Sequence, residues 1–409
     1  MQHFTIFINN TTDTSSFING ILEKRATSVF EKFNALKGSI LSKSKIDEFI
    51  NEEEKHDIKT VTEGLSQTLK SMSSGEQKKI VLKHLLTTNL DYIILDNPFD
   101  NLDFSSKEQL KITLKELASE ITFILLISRK SDALDFIKNE FKFQTNGNLT
   151  EVEKNEETII HKDYFKFKIP GPLEKIAYTD DILIYLNNVS VSYEDKPIIT
   201  NINWAIKKGE FWQLKGKNGS GKTTLLSMIT GENSKGYGQD LYLFGKKKGS
   251  EESIWDIKKK IGYYSPTLTN NFYGEHTVQH MLISGLNDSI GLYKYPTETQ
   301  ISLAQEWLNV LNIQHLKNSI FIELPIGQQR LIMVARAMIK HPLLLILDEP
   351  TENLDDESAS LFVALTNKIA QESTTTILFV SHRDEPGLLP ENIFELKKSK
   401  SGSYGTIIK

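Results

Sequence analysis

One run of eight residues, Gly216-Lys217-Asn218-Gly219-Ser220-Gly221-Lys222-Thr223, limits what this chain can fold into more than any other feature. Gly-x-x-x-x-Gly-Lys-Thr curls the backbone so that successive N–H groups point into one concavity, and its glycines keep side chains out of that space. Such a loop has to sit between a strand and the N-terminus of a helix, whose positive end faces anionic oxygens. The flanks comply. Phe211 to Leu214 read as a short buried strand, and Thr224 to Ile229 as the opening of a helix. The ligand that suits the motif is a nucleotide, with Lys222 reaching its outer phosphates and the Thr223 hydroxyl serving Mg²⁺. A Gly-rich surface turn is the bland alternative, and the strand–loop–helix context argues against it.

With 409 residues the chain is too long for one ordinary core, and two domains of about 200 residues are expected. Hydrophobic residues at 39% and charged residues at 25% fit a folded globular chain rather than a disordered one. There is no cysteine, so disulfides and thiolate metal sites are excluded. No run approaches the ~18 apolar residues of a membrane span, and Met-Gln-His-Phe-Thr-Ile-Phe-Ile lacks the pattern of a signal peptide. A cytoplasmic protein is expected, peripheral to a membrane only through a partner. The net charge of −5 gives no general attraction to nucleic acid.

A second pattern is duplicated. Asp91-Tyr-Ile-Ile-Leu-Asp96-Asn97-Pro98-Phe-Asp-Asn-Leu102-Asp103 matches Leu343-Leu-Leu-Ile-Leu-Asp348-Glu349-Pro350-Thr-Glu-Asn-Leu354-Asp355. Each begins as an apolar run without polar alternation, as in a parallel strand covered on both faces, and ends in an acidic residue. Each follows a helical stretch opening near Gly-x-Gln: Ser74-Gly75-Glu76-Gln77 in one, Ile326-Gly327-Gln328-Gln329 in the other. Each precedes a further apolar strand, at Ile121 to Ile127 and at Thr376 to Val380. This is a repeated α/β unit. The expected division is a reduced first domain over 1–152, a charged linker with Pro170 and Pro172 over 153–180, and a full second domain over 181–409.

These residues together resemble a tandem ATP-binding cassette (ABC) ATPase over nearly the whole chain. The first half resembles the family least before about residue 65. The Gly-Gln helices resemble the family's Leu-Ser-Gly-Gly-Gln signature, the Asn-Leu-Asp sequences its D-loop, and Ser381-His382 its switch histidine. Within the family, the layout is most similar to molybdate-transport-associated and photorepair-type tandem proteins. The resemblance implies an α/β fold of two P-loop NTPase domains in tandem, the first reduced and degenerate.

It also implies roles. Gly216 to Thr223, with Thr224, would bind ATP, and Thr223 and Asp348 would hold Mg²⁺. Glu349 would polarise the attacking water as general base, and His382 would contact the γ-phosphate. Tyr193 sits where the family stacks an aromatic on adenine. Family cassettes pair head to tail, so the signature closing on this nucleotide would come from Ser73, Ser74, Gly75 and Glu76, in an intramolecular pseudo-dimer or a homodimer. The competing, less favoured readings are that Ser73 simply caps its helix and that Tyr193 is an ordinary strand residue. His276 and His280 carry no metal-site pattern.

The first half lacks the corresponding groups. Ile8 to Phe17, where its phosphate loop should lie, has neither glycine nor lysine. Asn97 stands at the glutamate position, Arg129 at the histidine position, and Pro325 where the other signature needs a hydroxyl. One hydrolytic site and one dead site are expected. After Ile261-Gly262-Tyr263-Tyr264 the family's metal-contacting glutamine is replaced by Ser265-Pro266-Thr267, leaving Ser265, Thr267 or water to fill the gap.

The expected activity is ATP hydrolysis at a single site, driving an unidentified protein partner, with a separate membrane permease subunit one candidate. The resemblance implies that the segment from about Thr277 to Leu316 forms the helical lobe that contacts such partners in related proteins. An ATP-gated clamp with negligible hydrolysis is the alternative. A ribosome-associated factor ranks third, because the linker is short and mixed in charge.

Overall fold

The computed structural model describes residues 1–143, 148–152, 164–250, 253–269, 272, 274–289 and 291–408. Part of the expected linker, 153–163, lies outside them, and 164–180 carry no helix or strand. Two compact units divide the chain. One is Met1–Ile159 with Asn353–Glu357; the other is Ile160–Glu352 with Ser358–Lys409.

In the first unit β1 (Phe4–Phe7) leads to α1 (Ser15–Leu22), β2 (Gly38–Leu41), α2 (Lys43–His56) and α3 (Ser74–Leu86). Then follow β3 (Tyr92–Asp96), α4 (Phe104–Leu117), β4 (Thr122–Ile127), β5 (Asn139–Phe143) and β6 (Leu149–Glu151). The sheet order is β2-β3-β4-β1-β5-β6, parallel except for β6. The apolar runs foreseen as doubly covered strands behave so, because successive side chains point to opposite faces. Ile93, Leu95, Phe123 and Leu125 join Phe49, Val81, Leu82 and Leu114 in one core. Tyr92, Ile94, Ile124 and Leu126 join Phe4, Ile18, Phe30 and Phe33 in the other.

The second unit opens on β7 (Ile182–Tyr193) and β8 (Lys196–Lys207), followed by β9 (Phe211–Gly216) and α5 (Lys222–Ile229). Next come β10 (Asp240–Leu243), β11 (Lys246–Lys247), α6 (Ile254–Lys260), β12 (Ile261–Tyr264) and α7 (Pro266–Thr269). The helical segment expected over Thr277 to Leu316 contains α8 (Val278–Ser284) and α9 (Glu298–Val310). The chain then runs through α10 (Ile326–Met338), β13 (Leu344–Asp348), α11 (Asp356–Glu372), β14 (Thr376–Ser381), β15 (Asn392–Lys397) and β16 (Tyr404–Ile408).

Its larger sheet is ordered β12-β13-β14-β9-β15-β16, the first unit's order repeated strand for strand. Hence β13 and β9 both point their C-terminal ends to the edge where open α/β sheets collect ligands. A second, antiparallel sheet, β11-β10-β7-β8, packs on the first. Trp204 from β8 stacks on Phe394 from β15 with ring centroids 4.2 Å apart, and Trp212 meets Trp204 edge-on. Such aromatic pairs add about 0.5–1.5 kcal/mol beyond the area they bury. No helix among the described residues is long and apolar enough to cross a membrane.

Candidate functional site

The loop between β9 and α5 has the shape its sequence demands. Gly219 and Gly221 take φ of +68° and +92°, a left-handed region that favours glycine. A Cβ on Gly221 would come within 2.6 Å of Ile199 Cγ2, so the residue also lets β8 approach closely. α5 starts at Lys222, and the N–H groups of a helix's first turn have no acceptor inside the helix. The Ser220 hydroxyl is buried with no partner among the described residues, and Thr223 is exposed at the helix opening. This is a cradle for phosphate oxygens.

Lys222 is buried. Its Nζ donates to Gly216 O at 2.7 Å and lies 3.3 Å from Glu349 Oε1. Glu349 in turn meets His382 Nδ1 through Oε2 at 2.8 Å. Arg383 Nε donates to His382 Nε2 at 3.2 Å. Three segments far apart in sequence are thus joined, because β13, β14 and β9 are neighbouring parallel strands of one sheet. Gln213 of β9 donates to Ser381 Oγ at 3.1 Å, and Ser381 Oγ donates to Arg383 O at 2.7 Å, fixing the turn that carries His382.

Glu349 has a φ of +46°, outside the ordinary range for a glutamate, and a non-glycine residue there costs about 1–3 kcal/mol. Its N–H donates to Val380 O at 2.9 Å. Burial, the largest influence on its carboxyl, pushes the pKa up, but the His382 hydrogen bond and charge and the Lys222 ammonium outweigh it. The carboxyl ends below its ordinary value and is ionised at neutral pH. Asp348 goes the other way: burial first, with Glu349 and Glu352 adding, raises it against the Tyr263 hydrogen bond and Lys222.

The counterpart turn in the first unit follows the same path with different chemistry. Asn97 has φ of +44°, and its N–H donates to Leu126 O at 3.0 Å. Its side-chain oxygen accepts from the Ser128 N–H at 3.0 Å. Asparagine tolerates the left-handed region better than glutamate, so this position keeps the turn with less strain. Within the same unit Arg129 Nε donates to Leu354 O at 2.6 Å, and the Asn10 side chain donates to Asn353 O at 2.9 Å.

Ser73 is the N-cap of α3 in a capping box with Glu76. Its N–H and hydroxyl donate to Glu76 Oε2 at 2.8 and 2.7 Å, and its Oγ accepts from the Glu76 N–H at 3.4 Å. The capping reading therefore holds, and Ser74, Gly75 and Glu76 form the first turn of that helix. At the start of α10, Pro325 occupies the N-cap and makes no side-chain cap. Tyr193 ends β7 and is exposed; Asn233 donates to its hydroxyl at 3.0 Å and to Ser227 Oγ at 2.9 Å, tying the strand tip to the end of α5.

Two contributors were not foreseen. Tyr263 donates to Asp348 Oδ2 at 2.9 Å; burial and the Asp348 charge push its phenol far above its usual value. Arg330 of α10 donates to Tyr264 Oη, Pro350 O and Glu352 O at 3.0, 3.3 and 2.9 Å, clamping the turn after Glu349. Tyr263, rather than Ser265 or Thr267, is the residue of this segment hydrogen-bonded to Asp348. Ser265 Oγ accepts from the Leu268 N–H at 3.3 Å, and Thr267 is exposed.

Among the described residues no group of three His, Cys, Asp or Glu is arranged to hold a metal by itself. Thr223 and Asp348 supply a hydroxyl and a carboxylate, the hard oxygen donors that suit Mg²⁺ held jointly with substrate phosphates.

A phosphate cradle ahead of α5, an acidic pair closing β13 and the strand order of the sheet define an ATP-binding cassette. The chain belongs to the ABC transporter ATP-binding proteins and is an ATPase of that family, two P-loop cassettes in tandem. The family model described as "ABC transporter" matches residues 199–352. Over 339 residues the chain is 39% identical to the ABC transporter ATP-binding protein ModF of Escherichia coli (strain K12), covering 80% of this chain and 69% of ModF. It is 34% identical over 204 residues to the zinc uptake system ATP-binding protein ZurA of Listeria innocua, covering 49% of this chain and 76% of that protein. A solved structure of ribosome-bound archaeal Pelota and ABCE1 matches with a TM-score of 0.66 at 14% identity, covering 100% of this chain and 74% of that one. At that identity the likeness speaks for the fold alone.

Proposed function

We propose that ATP is hydrolysed at the second cassette's pocket alone, with Lys222 and the loop from Gly216 to Thr224 holding the phosphates, and Tyr193 against the adenine. Thr223 and Asp348 hold Mg²⁺, which neutralises charge on the phosphate oxygens. Glu349 is the general base and His382 orients it while facing the γ-phosphate.

The observation that carries this reading is the placement of Glu349 between Lys222 and His382. An ionised carboxylate at the end of β13 can accept a proton from water. When Lys222 turns to phosphate oxygens, Glu349 loses one of the charges that hold its pKa down and becomes a stronger base where a base is needed. Asn97, at the corresponding place in the first cassette, has no proton-accepting carboxylate. Ser73, Ser74, Gly75 and Glu76 enter on sequence resemblance, as the signature that closes on this ATP.

The work of hydrolysis is delivered to a protein partner. The names of ModF and ZurA support a membrane permease subunit as that partner, met through the segment Thr277 to Leu316. The test is Glu349→Gln. It should retain ATP and Mg²⁺ while turnover falls by at least about 10²-fold; unchanged phosphate release would remove Glu349 from the mechanism.

A further inference from the structure

We propose that Tyr263 is a positioning residue for the metal: through its hydrogen bond to Asp348 Oδ2 it fixes the carboxylate that binds Mg²⁺, in a cassette whose metal-contacting glutamine is gone. The inference rests on the reading of Asp348 as a metal residue and adds how that residue is aimed.

The sheet register makes the contact. β12 and β13 run parallel, with Tyr263 paired to Ile346 and Tyr264 to Leu347, so Tyr263 lies one alternation behind Asp348 on the same face of the sheet. Its phenol spans that offset and donates at 2.9 Å. The neighbouring Tyr264 hydroxyl, on the other face, is instead bonded to Arg330. One tyrosine thus serves the carboxylate and the next serves the clamp on α10.

The chemistry suits the task. A carboxylate at the end of a strand can rotate about its last bond and present either oxygen. A hydrogen bond to one oxygen removes that freedom and leaves the other free to face a cation or its waters. A phenol is neutral at physiological pH, so it donates without adding a positive charge that would repel the metal. Ser265 also acts on the Tyr263 hydroxyl, in the opposite sense to the Asp348 charge. Partners of this kind, one step out from the metal, change metal affinity by about 10–100-fold when removed.

The test uses the full chain with N-methylanthraniloyl-ATP as probe. MgCl₂ is titrated at fixed probe, nucleotide affinity is measured again in EDTA, and the melting temperature is recorded. Tyr263→Phe, which keeps the ring, should raise the Mg²⁺ half-saturation by about tenfold, while affinity in EDTA and melting temperature stay at the wild-type values. Ser265→Ala leaves the phenol in place and should shift the half-saturation the same way by a smaller factor, which gives a second reading should the Phe variant melt early. An unchanged half-saturation in Tyr263→Phe, with Asp348→Asn strongly affected, overturns the positioning role. Equal losses with and without Mg²⁺ also overturn it, since they mark a structural effect. If Asp348→Asn itself leaves the half-saturation unchanged, the metal reading of the site falls first, and the proposal with it.

Discussion

His382 is held from both sides: Nδ1 lies 2.8 Å from Glu349 Oε2, and Nε2 accepts from Arg383 Nε at 3.2 Å. An imidazole that accepts at Nε2 carries its proton on Nδ1 in the neutral form, and that proton is the one offered to Glu349. His382→Ala should therefore remove a contact that holds Glu349 ionised and in place. Turnover should drop by about 10²–10³-fold, with the dissociation constant for ATP much less affected. Single-turnover kinetics alongside equilibrium nucleotide titration separate the two.

Glu349 also couples the fold to pH. Its folded-state pKa is depressed, so its contribution to stability is fully present above the unfolded value of about 4.3 and is lost as pH falls through the folded one. Wild type and Glu349→Gln should differ by a constant melting-temperature offset from this residue at neutral pH. The offset should shrink in acid below the ordinary glutamate range. Melting curves taken from pH 7 downward check the sign.

Gly221→Ala should fail twice. At φ +92° a Cβ is strained, and here it would also lie 2.6 Å from Ile199 Cγ2. A loss of about 1–3 kcal/mol is expected, together with loss of ATP binding as the loop reshapes. Denaturant unfolding and nucleotide titration measure the two effects. Gly238 at φ +77° has nothing within 4 Å of such a Cβ and serves as a control for backbone strain alone.

Ser73 lets capping be separated from catalysis. Ser73→Ala loses the cap of α3 and should cost about 1 kcal/mol. Ser73→Asp can keep the cap, because aspartate is a good N-cap, but it places a negative charge where sequence resemblance puts the triphosphate. The Asp variant should match wild type in melting temperature and lose turnover. Normal turnover in that variant would remove Ser73 from the site.

The phosphate loop and the acidic strand ends were legible because they are written in consecutive residues. Glycine spacing dictates the backbone, and an unbroken apolar run dictates a covered strand. The capping role of Ser73 was legible for the same reason, since Glu76 follows at the spacing a capping box requires. Tyr263 was not, because its partner is 85 residues away and only the β12–β13 register brings them together. Arg330 was missed likewise: an arginine in a helix says nothing about which carbonyls it will reach. Ser265 Oγ accepts from the Leu268 N–H at the start of α7, and it is Tyr263 that meets the Asp348 carboxylate, a pairing that the local sequence does not reveal.

Among the described residues the four-stranded sheet that ends in Tyr193 has no counterpart in the first cassette, although the six-stranded sheets match strand for strand. That difference separates two kinds of loss. Putting glycines and a lysine back between Ile8 and Phe17 could rebuild a grip on polyphosphate without restoring the sheet that carries Tyr193. A cassette repaired in that way should take ATP, GTP and inorganic tripolyphosphate without preference.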